Sequence, residues 1–363
     1  MTMSNKKKIA LLNFPLDNNF GGNLQRYALI KVLTDMGYEV EHLSTQFTFY
    51  DCRPLVKRIK TWIKFMLGRL TPVSYPMPVK RWMEYKSLRP LLPFYDKYIP
   101  HTKPIYSYED LKDYQDYDIY LVGSDQVWRR SMSGVYPYTS MFFDFVNNPK
   151  AKKVAYGVSM GTANNELSDD ELTEISPLYA QFSATSVREA SALDLFKQYG
   201  WVKPQAEVVL DPTLLLNRQI YEDIISNAKT IRHKEEVYCY VLDVDAEKKS
   251  KIDAKLVELG AKAHYCVLGE DRISIEQWLR NVRDARYVIT DSYHGVLFSI
   301  IFNKPFLFLY NERRGNERVQ FILQCLGIKM NAPRFDWDII NERLEKLKLQ
   351  SISILEKSLK CNK

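Results

Sequence analysis

The chain has 363 residues, 46% of them hydrophobic and 26% charged; this suits about two domains with sizeable cores and excludes a disordered or collagen-like polymer. The net charge of +7 is local: residues 53–90 carry ten lysines and arginines against the single acid Glu84, a surplus of nine, which leaves about −2 for the rest of the chain. No apolar run reaches the ~18 residues needed to cross a bilayer, and Ile9 to Phe14 is too short for a signal segment, so a cytoplasmic protein is expected.

In chain order, KKIALLNF predicts a strand, DNNFGGN a loop and LQRYALIKVLTDMG a helix. Leu24, Ala28, Leu29 and Val32 mark the buried face of that helix, Gly37 ends it, and YEVEHL begins the next strand. A βαβ opening implies a parallel sheet covered by helices. Residues 52 to about 100 interrupt this alternation. Leu55, Ile59, Trp62, Ile63, Met66 and Leu70 form one apolar helical face opposite basic residues, and prolines 72, 76, 78, 90 and 93 break up a looser stretch. The segment reads as an insertion or lid. Strands resume with YDIYLV, KKVAYGV, ATSVRE and AEVVL, and the turn Asp211 to Thr213 reads as a domain crossover. A second alternating block then supplies EVYCYV, AKAHYCV, RYVIT and KPFLFLY as strands between helices. The expected architecture is α/β, with a Rossmann-like unit over 1–210 holding the insertion, a second over 211–363 with C-terminal helices, and a cleft between them. Five scattered cysteines (Cys52, Cys239, Cys266, Cys325, Cys361) have no CxxC pair or ligand spacing, which predicts reduced thiols, no metal site and no disulfide framework.

Several strand ends carry residues suited to chemistry. TDSYHG, Thr290 to Gly295, joins a buried strand to a helix, where free backbone N–H groups favour an anion. There His294 can bind a phosphate or carboxylate or pass a proton, with Ser292 and Gly295 lining the turn; alternatively Asp291 or Ser292 caps the helix and His294 packs on the loop. GSDQVW follows another strand: Gly123 allows close approach, Ser124 and Gln126 offer hydrogen bonds, Asp125 a base and Trp128 a ring for a sugar. The competing reading is an Asx-turn above a buried tryptophan. In NNFGGNLQ, Gly21, Gly22, Asn23 and Gln25 fit a polar ligand near a helix start, or an empty βα turn; GxGxxG and P-loop patterns are absent. Arg188 in SVRE can fork onto a carboxylate or phosphate, or pair with its neighbour Glu189 or another acid. Asp243-Val244-Asp245 matches a metal-nucleotide DxD, a triplet that a strand-end turn also explains.

Taken in order, NFGGNLQRYAL, VGSDQVW, YGVSMG, SVRE, LDPTLLL and VITDSYHGVLFSIIFNKPF resemble the polysaccharide pyruvyl transferase family over about residues 9–328, with NERVQFILQCLGI (Asn316 to Ile328) similar to its closing arginine helix. The resemblance implies a GT-B-like fold of two Rossmann-type domains. It implies transfer of pyruvate from phosphoenolpyruvate to two hydroxyls of a sugar in a surface, exopolysaccharide or capsular glycan, or in its lipid-linked precursor, as a cyclic ketal. No cofactor beyond the donor substrate is expected. Arg188 and Arg318 would hold the donor anion, His294 would contact its phosphate, and Asp125 or Asp291 would take a hydroxyl proton. Tyr293 stands where many members of that family have phenylalanine.

Two other functions compete: a GT-B nucleotide-sugar glycosyltransferase, separable by release of a nucleoside diphosphate, and a non-catalytic glycan-binding relative. Residues 53–90 offer a peripheral contact with an anionic inner leaflet, weighed against a solvated lid. No nucleic-acid module accompanies the basic run, so no nucleic-acid partner is expected.

Overall fold

The computed structural model describes residues 6–45, 88–132, 137–232, 237–266, 273–311, 314–329 and 334–360, with a few single positions between. The chain adopts the expected α/β, GT-B-like fold. Six parallel strands, β1 (Lys8–Leu12), β2 (Glu39–His42), β3 (Ile119–Val122), β4 (Lys152–Val158), β5 (Ala184–Val187) and β6 (Ala206–Val208), form a sheet in the order β2-β1-β3-β4-β5-β6. A second sheet holds β7 (Val237–Tyr240), β8 (Ala263–Cys266), β9 (Tyr287–Thr290) and β10 (Phe306–Phe308), in the order β10-β9-β7-β8. The run-like apolarity of the central strands follows from burial on both faces: in β1, Ile9 and Leu11 enter one core while Ala10 and Leu12 enter another. Each such fully buried aliphatic side chain contributes about 1.5–3 kcal/mol.

Each sheet reverses its winding once, between β1 and β3 in the first and between β7 and β9 in the second. Loops leaving the C-terminal ends of strands diverge at such a reversal and open a crevice. The two crevices face each other. Helix α1 (Phe20–Asp35) fixes their relation, since Phe20 stacks on Trp278 at 5.7 Å between ring centroids and the helix also packs on the 3-10 turn Pro212–Leu215. One hydrophobic core therefore runs from the first sheet into the second. The last helix, Trp337–Lys360, returns to the first sheet: the Ser351 hydroxyl accepts the Leu210 amide at 2.9 Å, and Lys152 donates to the Leu359 carbonyl.

Two expectations change. The glycine pair belongs to α1 rather than to a loop, because Asn19 caps the helix by accepting the Gly22 amide at 3.2 Å. Residues 88–98 are ordered and buried rather than loose: a 3-10 turn (Arg89–Leu91) runs into helix α2 (Leu92–Tyr98), sending Leu88, Leu91, Phe94 and Tyr95 into the core. Pro90 and Pro93 sit in the first positions of these two elements, where their missing N–H costs nothing. Most of the amphipathic stretch at 55–70 and of the cationic run lies outside the described residues; of its apolar face, Ile59, Ile63 and Met66 are described and are exposed.

Candidate active site

At the meeting of the two crevices lies a cleft of about 480 Å³, within the ~300–1,000 Å³ typical of small-ligand sites. Both domains line it, through Asn13, Asp17, Arg26 and Asp125 on one side and His294, Asn311, Arg314 and Arg318 on the other.

Its centre is a network of buried charges. Arg188, at the end of β5, donates to Asp211 at 2.5 Å and to Asp125 at 3.2 Å, with its side chain fully enclosed. Arg318, from helix Glu317–Leu326 of the second domain, reaches the same Asp125 oxygen at 3.3 Å. The ring of Tyr293 accompanies both guanidinium groups, whose central carbons lie 5.1 Å (Arg188) and 4.8 Å (Arg318) from its centroid. Burial and the nearby Asp211 carboxylate push the Tyr293 phenol up, so it stays a neutral donor. Burial opposes ionisation of Asp125 and Asp211, yet the arginine charges outweigh it and hold both carboxyls below the usual range. Asp125 also keeps a backbone φ of 100°, a conformation that costs about 1–3 kcal/mol at a residue with a side chain and is found where a site needs a group aimed.

His294 occupies the first turn of helix α9 (Tyr293–Ile301), the continuation of β9 through TDS. The helix is apolar all round and wholly buried, so its N-terminus is held rigidly at the cleft wall. His294 Nε2 lies 3.2 Å from Gln25 Nε2 and 3.8 Å from Asp211 Oδ2. Gly21 makes room for the imidazole, since a Cβ there would stand 2.1 Å from His294 Nδ1. Burial first, and then the charges of Arg188 and Arg318, lower the imidazole to about 4 against the pull of Asp211 and Asp125. At neutral pH His294 is therefore uncharged.

The candidate residues separate into groups. His294, Asp125, Arg318, Ser292, Ser124, Gln126, Gly22 and Gln25 line the cleft, and Arg188 lies behind it, bound to Asp125. Ser292 is the cap of α9, accepting the Gly295 amide, and Gly295 is required because a Cβ would meet Thr290 Oγ1 at 2.2 Å. Ser124 donates to the Gly157 carbonyl, and Gly123, at φ 119°, has no room for a side chain against Tyr156 O at 2.2 Å. Asn23 is fully buried and braces the Asp17–Asn19 turn and Arg26.

Two assignments are corrected. Trp128 is not a platform for a sugar: it is completely buried, stacked on Phe142 at 4.7 Å, with its indole N–H donated to the Met141 carbonyl. Asp291 is not a base, because four donors saturate its carboxylate: the amides of Leu242 and Asp243, Lys248 Nζ and Asn311 Nδ2, at 2.6–3.2 Å. It ties the ends of β7 and β9 together. The DxD triplet likewise is structural, with Asp245 capping a helix and Asp243 paired to Arg314. Among the described residues no cluster of three or more His, Cys, Asp or Glu is placed to hold a metal.

Sequence reading missed Asp211 and Asp17. The DPT turn was visible at the end of a strand, but nothing local distinguishes a crossover turn from a carboxylate folded back under the site. Asp17 stands exposed at the cleft mouth, and desolvation by the loop packed around it raises its carboxyl to about 6, against the lowering pull of the Asn19 amide and Arg26. That value lies in the range of a group that exchanges protons near neutrality.

A family model for polysaccharide pyruvyl transferase matches residues 19–313. Among solved structures, a glycosyltransferase from Rickettsia africae is 10% identical with a TM-score of 0.48, over 99% of this chain and 100% of that one. S. aureus MnaA with UDP is 11% identical with a TM-score of 0.45, covering 96% and 91% respectively. The UDP-GlcNAc 2-epimerase of Neisseria meningitidis bound to UDP-GlcNAc is 9% identical with a TM-score of 0.44, covering 97% and 99%. No curated protein matches the chain.

Proposed function

This chain belongs to the polysaccharide pyruvyl transferase family, and we propose that it moves pyruvate from phosphoenolpyruvate to two hydroxyls of one sugar, giving a cyclic ketal and inorganic phosphate. The observation that supports this most is the pair of buried arginines, one from each domain, on a single carboxylate. Among the described residues, Arg188 and Arg318 each keep a buried Nε with no partner, and their bonds to Asp125 are the long ones of the network, at 3.2 and 3.3 Å. A compact polyanion entering the cleft meets Arg318 directly, and by displacing Asp125 from its long contacts it gains access to Arg188 behind.

Chemistry follows from that placement. The enol C3 gains a proton, C2 becomes electrophilic, and the first sugar hydroxyl adds to C2. The second hydroxyl then forms the other C2–O bond as the bond from C2 to the phosphate oxygen breaks. Of the two hydroxyl protons, one balances the new C–H bond and the other leaves with phosphate. Arg188 and Arg318 stabilise the carboxylate and the departing phosphate, His294 hydrogen-bonds the phosphate at the start of α9, and Asp17 or Asp125 relays hydroxyl protons. The acceptor is a glycan or its lipid-linked precursor, and the reaction is placed in the cytoplasm, with residues 53–90 as a contact to the inner leaflet. No described helix is long and apolar enough to cross a membrane.

His294→Ala tests the reading: phosphate release from phosphoenolpyruvate in the presence of acceptor should fall by at least ~100-fold. Near-normal release would remove His294 from the mechanism. Release of a nucleoside diphosphate from a sugar nucleotide by the wild-type protein would replace the reading with glycosyl transfer.

A further inference from the structure

We infer that Gln25 acts as an insulating amide between Asp211 and His294, and that it fixes the histidine tautomer so that the ring hydrogen sits on Nδ1, the nitrogen beside Gly21.

Asp211 sits at the base of the network. Its Oδ1 accepts the Thr213 amide and hydroxyl at 2.9 and 2.7 Å, and its Oδ2 accepts Arg188 at 2.5 Å. A carboxylate so engaged is an acceptor only, so the Gln25 side-chain atom 2.5 Å from Oδ2 must be the NH₂ nitrogen and not the carbonyl. That same nitrogen lies 3.2 Å from His294 Nε2. An amide NH₂ donates two hydrogens and accepts none; one goes to Asp211 and the other points to the imidazole. Nε2 must therefore offer a lone pair, and the single ring hydrogen of the neutral imidazole resides on Nδ1.

Nδ1 is the nitrogen on the Gly21 side, and no described residue accepts a hydrogen bond from it. The absence of a Cβ at Gly21 is what lets the ring sit there. The charged and titratable groups facing His294 are Asp211, Asp125, Arg188 and Arg318, with the Tyr293 ring at 5.3 Å. A carboxylate 3.8 Å from Nε2 would, without Gln25, close that short gap and draw the hydrogen to Nε2, which is the arrangement of acid–histidine pairs that make a base. Gln25 prevents it. His294 is thus kept as a neutral ring with its hydrogen on Nδ1, rather than as a general base paired to a carboxylate through Nε2. Gln25 reaches substrate only through His294 and is a positioning residue.

The inference goes beyond the proposed reaction, and its first test needs no substrate. In the full chain with ¹⁵N-labelled histidine, the His294 ring at neutral pH should show a pyrrole-type shift at Nδ1 and a pyridine-type shift at Nε2, the His294→Gln spectrum identifying the signals. A protonated Nε2 in the wild-type protein would overturn the proposal, whatever any variant does. Gln25→Leu should exchange the two signatures and lower turnover ~10-fold or more, with partial recovery in Gln25→Asn. An unchanged tautomer in folded Gln25→Leu would also overturn it. Should the wild-type spectrum be as expected while phosphoenolpyruvate gives no phosphate, the tautomer assignment stands and the pyruvyl-transfer reading falls.

Discussion

Two cavities meet at one wall, and they differ in kind. The wall is Arg188, Asp211 and Tyr293. Behind it lies a space of about 660 Å³ lined by Val209, Leu210, Phe321, Ile322, Leu347 and Ile354; in front lies the polar cleft of about 480 Å³. The larger space is the less chemical one. Its ionisable groups are Arg188, Asp211 and Tyr293 of the wall with Cys325 and Lys357, whereas the cleft gathers Asp17, Asp125, His294, Arg26, Arg314 and Arg318. The difference arises from topology: only the cleft receives loops from the C-terminal ends of β1, β3, β7 and β9, where sheet reversals splay the chain apart. Volume marks a gap between packed elements; convergent charge marks a site.

The greatest expected effect breaks the wall itself. Asp211→Ala leaves a buried Arg188 with its shortest ionic bond removed, which should cost about 3–5 kcal/mol of folding stability, read by denaturant unfolding, and abolish turnover. A loss below ~1 kcal/mol would show that Asp211 is not the counter-charge on which the cleft depends.

A middle-sized effect separates the cleft from the apolar space by pH. His294 has a native value of about 4 against ~6.5 unfolded, so between these values the unfolded chain binds the extra proton. The stabilisation is therefore complete above pH ~6.5 and is lost as pH falls toward 4. Between pH 7 and pH 5 this amounts to about 2 kcal/mol. Unfolding free energies at the two pH values should differ less in His294→Asn by that amount; equal slopes would mean that the imidazole is not neutral and buried as described. The lowered carboxyls of Asp125 and Asp211 act in the same direction but only below about pH 4.

The smallest effect sharpens the contrast from the other side. Ile354→Trp adds bulk to the apolar cavity and should leave kcat/KM within ~2-fold, measured beside a thermal unfolding curve that confirms the fold. A drop beyond ~10-fold would mean that the rear cavity communicates with the reaction through Arg188.

Much of this arrangement was legible in the residues. Short apolar runs announced the central strands, such as β1, β3, β4 and β7, because strands buried on both faces carry unbroken hydrophobicity. TDSYHG, GSDQVW and SVRE stood at strand ends, where open α/β sheets place ligands. What failed did so for a common reason. Trp128 and Asp291 belong to motifs beside the cleft, yet a one-residue difference in where a turn points sends a side chain into the core or onto four donors. Asp211 was read as a connector because its partners, Gln25, Arg188 and His294, are far away in sequence. Prolines 90 and 93 suggested irregular chain, but at the start of a helix they are neutral, and four apolar neighbours carried the segment inward.

The sequence alone thus determined the α/β alternation, the resemblance to a family and the strand ends that matter, since hydrophobic period and motif spacing are local properties. Tertiary structure alone decided which polar groups are paired, which are saturated and which remain available to a ligand. Pairing depends on contacts between residues far apart in the chain, here Gln25 with Asp211 and His294 and Asp125 with Arg318, and burial makes those contacts strong enough to set charge and tautomer.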